Sequence, residues 1–528
     1  MDPSTPYPSQ RMPVLARNVV ATSQPLAATA GLRMLTDGGN AVDAAIAAAM
    51  TLTVVEPTSN GLGSDAFAIL WDGRSLHGLN ASGRSPTALT PERFEGLDAI
   101  PLRGEATVTV PGAVSAWIEM HRRFGSLPLH RIAEPAIHYA RDGFPVSPIT
   151  ARAWATAEGT FAGRADFADA FLPGGRAPHA GETWRFPDQA ATLETIIETE
   201  GEAFYRGALA ERMAAHVQAG GGPLAEADLA AHRAEWVGTI STAYGEHELH
   251  EIPPNGQGLA ALLALGILRH TDVADHDPDS AAALHLQIEA MKLAFADAHR
   301  YVGDPDHLDV PPDALLDDGY LAERAARIDP TRAGDPAYGV PKRGGTVYLT
   351  AADAEGRMVS FIQSNYYGFG SGVVVPGTGI SLQNRGAGFT LQPGHPNQVG
   401  PAKRPFHTII PAFLTRGGAP DMSFGVMGGP MQPQGHVQMV LRTVLWGQNP
   451  QAAADAPRWR VVEGRTVALE ASVGQATVDA LRDLGHDVTR AAPEHGFAFG
   501  GAQLVRRLPD GGYVAGSDPR KDGLAVGF

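Results

Sequence analysis

A threonine preceded by two glycines lies where the character of the chain changes. Residues 302–345 are rich in Asp, Pro, Gly and Arg and show little hydrophobic periodicity, which is typical of an exposed, flexible segment. The residues that follow, Thr346–Ala352, are β-branched and aromatic and predict a strand. Thr346 is therefore predicted to begin a strand at the end of a flexible segment.

A threonine in this position can attack the peptide bond that precedes it. Its hydroxyl can add to the carbonyl of Gly345 in an N-to-O acyl shift, and a glycine there removes hindrance and permits strained backbone. The released α-amine of Thr346 would have an ordinary pKa of about 7.7–8.0. It could take the proton of its own hydroxyl, so one residue would supply both nucleophile and base. The alternative interpretation of Gly344-Gly345-Thr346 is an ordinary turn into a strand.

The elements around this junction divide into a helix-rich and a strand-rich part. Ser23 and Asn40 are suited to cap two successive helices, and helical patterns dominate from about 112 to 237 and recur at 257–268 and 280–300. After the junction most segments alternate like strands, with helices resuming at 431–446 and 474–485. This order predicts layers of helices around sheets.

Composition narrows the class of protein. A chain of 528 residues is expected to form two or three lobes or one large multilayer fold, because domains average roughly 100–200 residues. A net charge of −16 argues against nucleic acid or an anionic membrane as partners. With no cysteine, the chain has no disulfide, thiolate metal site or cysteine nucleophile.

The sequence shows no targeting or membrane segment. The first residues lack the basic start and apolar run of a signal peptide, so we expect a cytoplasmic protein, and a periplasmic one is also compatible. The most apolar segment, Ala41–Val55, is interrupted by Asp43 and is shorter than the roughly 18 apolar residues that a membrane span needs. It predicts a buried helix.

Metal and cofactor motifs are also missing. The sequence HELHE at 247–251 lacks the H-E-x-x-H spacing of a zinc helix and fits a strand. The glycine pairs lack a dinucleotide-binding context, and the acidic run 304–318 lacks EF-hand spacing. We therefore predict neither a metal nor a cofactor.

Six segments occur in an order that is typical of one enzyme family. They are GGNAVDAAIAAAMTLTVVEPTSNGLGSDAFAIL (38–70), EIPPNGQGLAAL (251–262), TVYLTAADAEGRMVSFIQSNYYGFGSG (346–372), VGPAKRPFHTIIPAF (399–413), GVMGGP (425–430) and GSDPRKDG (516–523). Together they resemble the γ-glutamyltransferase family of N-terminal-nucleophile hydrolases. Six ordered matches over about 500 residues are far more specific than one short motif.

The resemblance implies an α+β fold, namely the family's four-layer αββα sandwich. It also implies cleavage into a large fragment, 1–345, and a small fragment, 346–528, that remain intertwined as a heterodimer. The large fragment would be mostly helical and end in the flexible linker at about 302–345. The small fragment would be strand-rich and begin with the nucleophile.

The resemblance also implies catalytic roles. Thr346 is at the nucleophile position, and Ser364 replaces a second Thr that the family hydrogen-bonds to the nucleophile. Gly428 and Gly429 match the glycines whose backbone N–H groups form the oxyanion hole. The alternative interpretations are a polar strand residue for Ser364 and a tight turn before a helix for the glycine pair.

The substrate-binding positions depart from the family pattern. The acidic residue that binds the α-ammonium of γ-glutamyl substrates is replaced by Gly388, and a neighbouring amide by Arg385. An Asn becomes Tyr366, and the serines that bind the α-carboxylate become His407-Thr408. Removing an acid and adding Arg replaces a cation-binding corner with an anion-binding one.

Two further features concern the same pocket. Arg84 lies two residues from the position of the family's carboxylate-binding Arg and is a candidate for that role. Structural ion pairing is the alternative interpretation for both Arg84 and Arg385. The loop between Phe389 and Val399 is shorter than the family's lid, which predicts a more open cleft.

These observations predict a self-processing amidohydrolase or acyltransferase that acts through an acyl-enzyme on Thr346. Its substrates would be γ-glutamyl or related amides that carry a carboxylate, and water or an amino acid would release the acyl group. The altered pocket resembles a branch with cephalosporin acylase-like and oxamate amidohydrolase-like members. The alternatives are therefore hydrolysis of a glutaryl- or oxamate-type amide, or an uncut, non-catalytic binding protein.

Overall fold

Two seven-stranded sheets lie at the centre of the protein. The computed structural model describes residues 10–336, 345–491 and 498–528. The strands are β1 Val14–Ala16, β2 Val19–Thr22, β3 Asp65–Trp71, β4 Leu76–Asn80, β5 Phe144–Pro145, β6 Thr183–Trp184, β7 Glu235–Trp236, β8 Ile240–Tyr244, β9 His247–Glu251, β10 Gly345–Ala352, β11 Met358–Tyr366, β12 Val374–Val375, β13 Ile380–Ser381, β14 Ala412–Arg416, β15 Ala419–Met427, β16 Trp459–Glu463, β17 Thr466–Glu470, β18 Asp487–Ala491, β19 Gly501–Arg507, β20 Tyr513–Ser517 and β21 Leu524–Gly527.

Helices lie on the outer faces of the two sheets. They are α1 Pro25–Thr36, α2 Ala41–Val55, α3 Ala113–Phe124, α4 Leu129–Asp142, α5 Pro148–Phe161, α6 Ala165–Phe171, α7 Pro187–Glu198, α8 Glu202–Arg206, α9 Ala208–Ala219, α10 Glu226–Ala231, α11 Gly258–Leu268, α12 Ala281–Tyr301, α13 Pro312–Leu315, α14 Asp318–Ala325, α15 Met431–Val440, α16 Pro450–Asp455 and α17 Gln475–Asp483.

The strands of each sheet are not in chain order. Sheet 1 has the order β21-β2-β10-β11-β3-β4-β7, and sheet 2 has the order β1-β20-β19-β15-β14-β9-β8. Neighbouring strands in both sheets are antiparallel. Both sheets therefore contain strands from before and from after position 345.

Three apolar layers hold this arrangement together. Side chains such as Tyr348, Ile362, Phe413 and Val505 fill the space between the two sheets. A second cluster joins α2 and its neighbouring helices to the outer face of sheet 1, and a third joins α11 and α12 to sheet 2. The predicted αββα sandwich is confirmed.

Helix α2 shows why an alanine-rich segment suits this fold. All of its residues from Ala41 to Val55 are buried, and small side chains let the helix approach its neighbours closely. At Gly31 of α1, a Cβ would lie only 2.9 Å from the carbonyl oxygen of Ala44. Across the described ranges, none of the helices has the length and apolarity that crossing a bilayer requires.

The helix caps agree with the sequence in one case and differ in the other. Asn40 forms the predicted cap of α2, as part of a capping box with Asp43. The predicted cap of α1 by Ser23 is wrong, because the side chain of Gln24 accepts the free N–H groups there. Ser23 instead donates to Glu56 at 2.5 Å.

The predicted flexible linker needs correction over its first part. Residues 302–336 contain α13 and α14, and Leu321 of α14 packs into the core cluster on sheet 2. The Asp and Pro residues that suggested a flexible segment begin these helices, since Pro312 is the first residue of α13 and the side chain of Asp317 caps α14. The rest of the predicted linker, 337–344, lies outside the described residues. The division into 1–345 and 346–528 stays a prediction.

Candidate active site

Thr346 lies on the face of sheet 1 that is turned toward sheet 2. It is 1% exposed. Gly345 is paired with Tyr366 and Val347 with Gln363, so two residues of β11 lie opposite Thr346 alone. This bulge bends β11 and brings the side chain of Ser364 to Thr346. The hydroxyl of Thr346 donates to the Oγ of Ser364 at 3.2 Å.

Ser364 connects the candidate nucleophile to the carbonyl that it would attack. Its Oγ donates to the carbonyl oxygen of Gly345 at 2.6 Å and accepts the N–H of Tyr366 at 2.8 Å. The hydroxyl is thus fixed by three hydrogen bonds. It is placed both to take a proton from Thr346 and to stabilise negative charge on the Gly345 oxygen.

Gly345 contributes space rather than strain. A glycine here permits a strained backbone, and in the uncut chain its φ lies outside the left-handed region. A Cβ there would lie 3.3 Å from the amide nitrogen of Gly368 and 3.4 Å from the carbonyl oxygen of Thr58. The close approach of these two backbone segments explains why glycine suits the position.

The glycine pair forms a sharp turn at the end of β15. Gly428 has a φ of 125° and Gly429 a φ of 62°, values that favour glycine. A Cβ on Gly428 would lie 3.1 Å from the Cα of Gly500. The turn leads into α15, which begins at Met431. The predicted turn is therefore present, and the oxyanion role stays a prediction.

Contacts between the sheets place this turn near Thr346. The hydroxyl of Thr350 on β10 lies 2.6 Å from that of Ser423 on β15. Two residues earlier on β10 and two later on β15, the ring of Tyr348 lies against Gly425. Two residues further in the same directions, β10 reaches Thr346 and β15 reaches its C-terminal end. Side chains two residues apart lie on the same face of a strand, so Thr346 also faces β15.

Gln257 joins two parts of the site that are distant in sequence. Its side-chain N–H groups donate to the carbonyl oxygens of Thr408 at 2.6 Å and Gly429 at 2.9 Å. Its backbone N–H donates to the carbonyl oxygen of His407 at 2.9 Å. Sequence reasoning missed this residue, although it belongs to the segment 251–262 that carries part of the family resemblance.

Arg385 is a buried cation with unused donors. It has 0% exposure, and its Nη1 donates to the hydroxyl of Thr408 at 2.9 Å. Its guanidinium carbon lies 4.1 Å from the centre of the Tyr366 ring. Within the described ranges, its Nε and Nη2 have no hydrogen-bond partner. Burial lowers the pKa of Arg385 to about 10, so it stays charged at neutral pH.

The ring of His407 is bonded to Asp65 and does not face an open pocket. Its Nε2 lies 3.0 Å from Oδ2 of Asp65, and its Nδ1 accepts the N–H of Ile409 at 3.4 Å, so the proton is on Nε2. Burial holds the pKa of His407 well below its ordinary value. In this structure the neutral ring holds Asp65, and direct binding of substrate by His407 stays a prediction.

Asp65 is a buried carboxyl group that sequence reasoning missed. It begins β3 and lies directly opposite Ser364 in the ladder. Burial raises the pKa of Asp65 to about 7, against the opposing effects of Arg385 and of a hydrogen bond from the Gly83 N–H. Its proximity to the site depends on a long-range strand pairing, which a single sequence does not reveal.

Arg84 makes ion pairs within the protein, which is the alternative that the sequence left open for it. Its guanidinium is 2.9 Å from buried Asp304 and 3.4 Å from Asp306. It also donates to the carbonyl oxygen of Ala402 at 3.1 Å. These two acidic partners favour the interpretation as a structural ion pair, and the carboxylate-binding role of Arg84 stays a prediction.

Arg103 is a second guanidinium close to the site. It donates to the carbonyl oxygens of Gly368, at 2.8 Å, and Gly370. Its guanidinium carbon lies 4.8 Å from the centre of the Phe161 ring. These contacts fix the chain just after Tyr366, and no sequence motif pointed to them.

The position of Gly388 has no room for an acidic side chain. A Cβ there would lie 2.9 Å from the carbonyl oxygen of Phe406. The loop that follows is packed at its ends, where Phe389 and Val399 are buried in one apolar cluster, while residues 392–394 are exposed. Arg385 is buried in the uncut chain, and a cleft more open than that of the family stays a prediction.

One group of side chains has the spacing of a metal site. The ligand atoms of His285, Glu289 and His486 lie within 4.8 Å of one another. Nδ1 of His285 is 2.8 Å from Nε2 of His486, and the ammonium of Lys292 is 2.5 Å from Glu289. The ammonium of Lys292 already neutralises the charge of the Glu289 carboxylate. We therefore interpret the group as a hydrogen-bonded structural cluster. The segment HELHE is strand β9.

The chain resembles a known enzyme family over almost its whole length. Residues 27–528 match the family model described as Gamma-glutamyltranspeptidase. The chain is 37% identical over 97% of its length to a Bacillus subtilis protein named "Glutathione hydrolase-like YwrD proenzyme", with 98% of that protein covered. It is 38% identical over 95% of its length to the "Oxamate amidohydrolase proenzyme" of Klebsiella pneumoniae, with 97% of that protein covered.

A solved structure is similar over almost the whole chain. The crystal structure of cephalosporin acylase from Bacillus halodurans superposes with a TM-score of 0.95 at 49% identity. The superposition covers 99% of this chain and 98% of that one. The folding pattern described above is therefore shared along the entire length.

The hydrogen bonds of Ser364 lead to a first prediction. We expect Ser364→Ala to slow cleavage of the 345/346 bond by about 100–1000-fold, because it removes a donor to the attacked carbonyl. Ser364→Thr retains the hydroxyl and should cleave much faster than the alanine variant. Band intensities on a denaturing gel after timed expression measure the rate. Equal cleavage by the alanine variant and the unchanged protein would contradict the role.

A second prediction concerns the bridge formed by Gln257. Gln257→Leu loses both side-chain hydrogen bonds, and we expect kcat to fall about 10–100-fold with little change in KM, because the turn at Gly429 is no longer held in position. Steady-state kinetics on the processed fraction measure this effect, with the thermal midpoint as a check on folding. A change confined to KM would argue against a positioning role.

Proposed function

The chain belongs to the gamma-glutamyltranspeptidase family, and we propose that it is an amidohydrolase that cuts itself before Thr346 and then hydrolyses a carboxylate-bearing amide. The observation that carries this proposal is the hydrogen-bond chain from the Thr346 hydroxyl through Ser364 to the carbonyl oxygen of Gly345. It connects a nucleophile, a proton carrier and the bond to be cut within one buried site.

Self-cleavage follows from these contacts. The Oγ1 of Thr346 attacks the carbonyl carbon of Gly345, and its proton passes to Ser364, which in turn donates to the developing oxyanion. The C–N bond then breaks and the amide nitrogen takes up a proton, leaving an ester and a free α-amine on Thr346. Water hydrolyses the ester and produces the fragments 1–345 and 346–528, which remain associated.

The same threonine then acts on substrate. Its free amine accepts the hydroxyl proton while Oγ1 attacks the amide carbonyl, with Gly428 and Gly429 donating to the oxyanion. The leaving amine takes the proton, and an acyl-enzyme ester remains on Thr346. A water molecule, activated by the same amine, releases the acid.

Arg385 identifies the acyl group that the site would accept. Its two nitrogens without a partner among the described residues, together with the hydroxyl of Thr408, form a donor set that suits a carboxylate, with the ring of Tyr366 as one wall. Among the described residues no carboxylate contacts this guanidinium directly, so a substrate carboxylate would supply the directly bonded partner that a buried cation needs.

The site is poorly suited to the α-ammonium of a γ-glutamyl group. Gly388 leaves no space for an acid, and the oxygens of Asp65 already accept hydrogen bonds from Gly83 and His407. We therefore favour acyl groups that carry a carboxylate but no amine, such as those of glutaryl- or oxamate-type amides. Hydrolysis of a γ-glutamyl anilide should be slow by comparison.

The self-cleavage proposal predicts the behaviour of two variants. Thr346→Ala should remain one uncut chain of 528 residues, whereas Thr346→Ser should still divide, since serine supplies an equivalent hydroxyl. Intact-mass measurement and N-terminal sequencing of the smaller band test this directly. Cleavage of the alanine variant at the same bond would refute the mechanism. An uncut unchanged protein without amidase activity would instead favour a binding protein.

The carboxylate proposal predicts a loss that depends on the substrate. We expect Arg385→Met to lower kcat/KM for succinamate by about 10–100-fold, as expected for losing about 1.5–3 kcal/mol of charged hydrogen bonding. Butyramide, which lacks the carboxylate, serves as the matched control substrate and should be hydrolysed equally by both proteins. An equal loss for both substrates would show that Arg385 does not select carboxylates.

A further inference from the structure

We propose that Asp65 is the proton-linked counterion of Arg385, charged in the empty site and protonated when a substrate carboxylate binds. This inference rests on the proposed function, since it assumes that Arg385 receives the carboxylate. It assigns to Asp65 a specificity role that depends on pH.

The hydrogen bonds of Asp65 are those of a carboxylate. Its Oδ1 accepts the N–H of Gly83 at 3.0 Å, and its Oδ2 accepts Nε2–H of His407 at 3.0 Å. The side-chain amide of Gln383 approaches Oδ2 at 3.4 Å. All three neighbours are donors, and the side chain has 0% exposure. The site therefore holds a negative charge out of contact with water.

Two consecutive residues connect this anion to the buried cation. His407 bonds to Asp65, and Thr408 bonds to Nη1 of Arg385. The backbone N–H of Arg385 also donates to Gln383, whose amide faces Asp65. Charges that share such a desolvated network interact far more strongly than charges in water.

Arg385 is the charged group that acts most strongly on Asp65. It opposes the effect of burial on the Asp65 pKa more than any other side chain does, with Arg404 contributing less. Arg404 is itself paired with Glu235 at 2.9 Å. A carboxylate bound to Arg385 would offset its charge and so remove the main stabilisation of ionised Asp65.

In the part of the uncut chain that the structure describes, the titratable groups closest to Asp65 keep their charge state near neutral pH. Burial holds the pKa of His407 well below its ordinary value and raises the pKa values of Tyr205 and Tyr366. Ser364, opposite on β11, is uncharged. The exception is the α-amine that cleavage would free on Thr346, with an ordinary pKa of about 7.7–8.0. An experiment must therefore separate Asp65 from this amine.

The sign of the linkage follows from these charges. With a pKa of about 7, Asp65 is mostly ionised in the empty site at pH 8 and compensates Arg385. A bound carboxylate raises the pKa of Asp65 further, so binding takes up a proton. By reciprocity, anions bind best below pH 7, where neutral Asp65 leaves Arg385 uncompensated, and their KM rises as Asp65 ionises, by up to about tenfold per pH unit.

Calorimetry with succinate tests this linkage on the processed protein. Titrations at pH 8 in triethanolamine and in Tris, two non-anionic buffers that differ in heat of ionisation, give the number of protons exchanged without a competing anion. We expect the unchanged protein to take up a fraction of a proton that Asp65→Asn does not take up. Because the asparagine variant keeps the Thr346 amine, that amine cannot account for the difference.

The pH dependence of KM provides a second measurement. With succinamate, KM should rise above pH 7 for the unchanged protein and stay level for Asp65→Asn, near the low-pH value. If the variant does not fold, the unchanged protein still tests the inference. Proton uptake together with a KM that rises from pH 7 supports it, whereas no uptake, or a KM that rises only from about pH 7.7–8.0 where the α-amine titrates, overturns it.

The possible failures can be told apart. Succinate binding that requires Arg385 but exchanges no proton overturns the role of Asp65 and leaves the proposed function intact. Binding that is unaffected by Arg385→Met, or no binding at all, overturns the proposed carboxylate site together with this inference. Equal proton uptake by the unchanged protein and Asp65→Asn assigns the proton to another group and refutes the proposal.

Discussion

The hydroxyl of Ser364, held between Thr346 and the carbonyl oxygen of Gly345, is the contact on which the rest of the site depends. It exists because a bulge in β11 places two residues opposite Thr346. The bulge in turn needs a rigid ladder on both sides, which the packed space between the two sheets provides. The two packed sheets of the four-layer fold fix the strand register, and this register places Thr346, Ser364 and Gly345 within hydrogen-bonding distance.

The site combines this neutral hydrogen-bond chain with two buried charges. Arg385 and Asp65 are both removed from water, and each is held by neutral donors or acceptors rather than by direct pairing with the other. Such an arrangement leaves each charge sensitive to a new neighbour, because little solvent is present to screen it. A ligand that brings its own charge is thereby recognised through electrostatics as well as through shape.

The sequence predicted best those features that are local. Thr346 begins a strand after glycine, and the turn at Gly428 precedes a helix; both follow from residue types within a few positions. The four layers followed from the family resemblance. Features that depend on contacts between distant segments could not be predicted. Arg84, expected to bind substrate, pairs with Asp304, which comes from another segment. Asp65 and Gln257 were missed for the same reason.

Sheet 1 combines strands from both sides of the 345/346 junction, and this has a consequence for a chain that has been cut. Strand β10 lies between β2, from before the junction, and β11, from after it, while β11 also pairs with β3. The two fragments would therefore share one core instead of meeting at a surface. Neither fragment would fold by itself, so the two fragments of the mature enzyme would unfold together in one cooperative transition. Its two polypeptides would be made once and would not be exchanged between molecules.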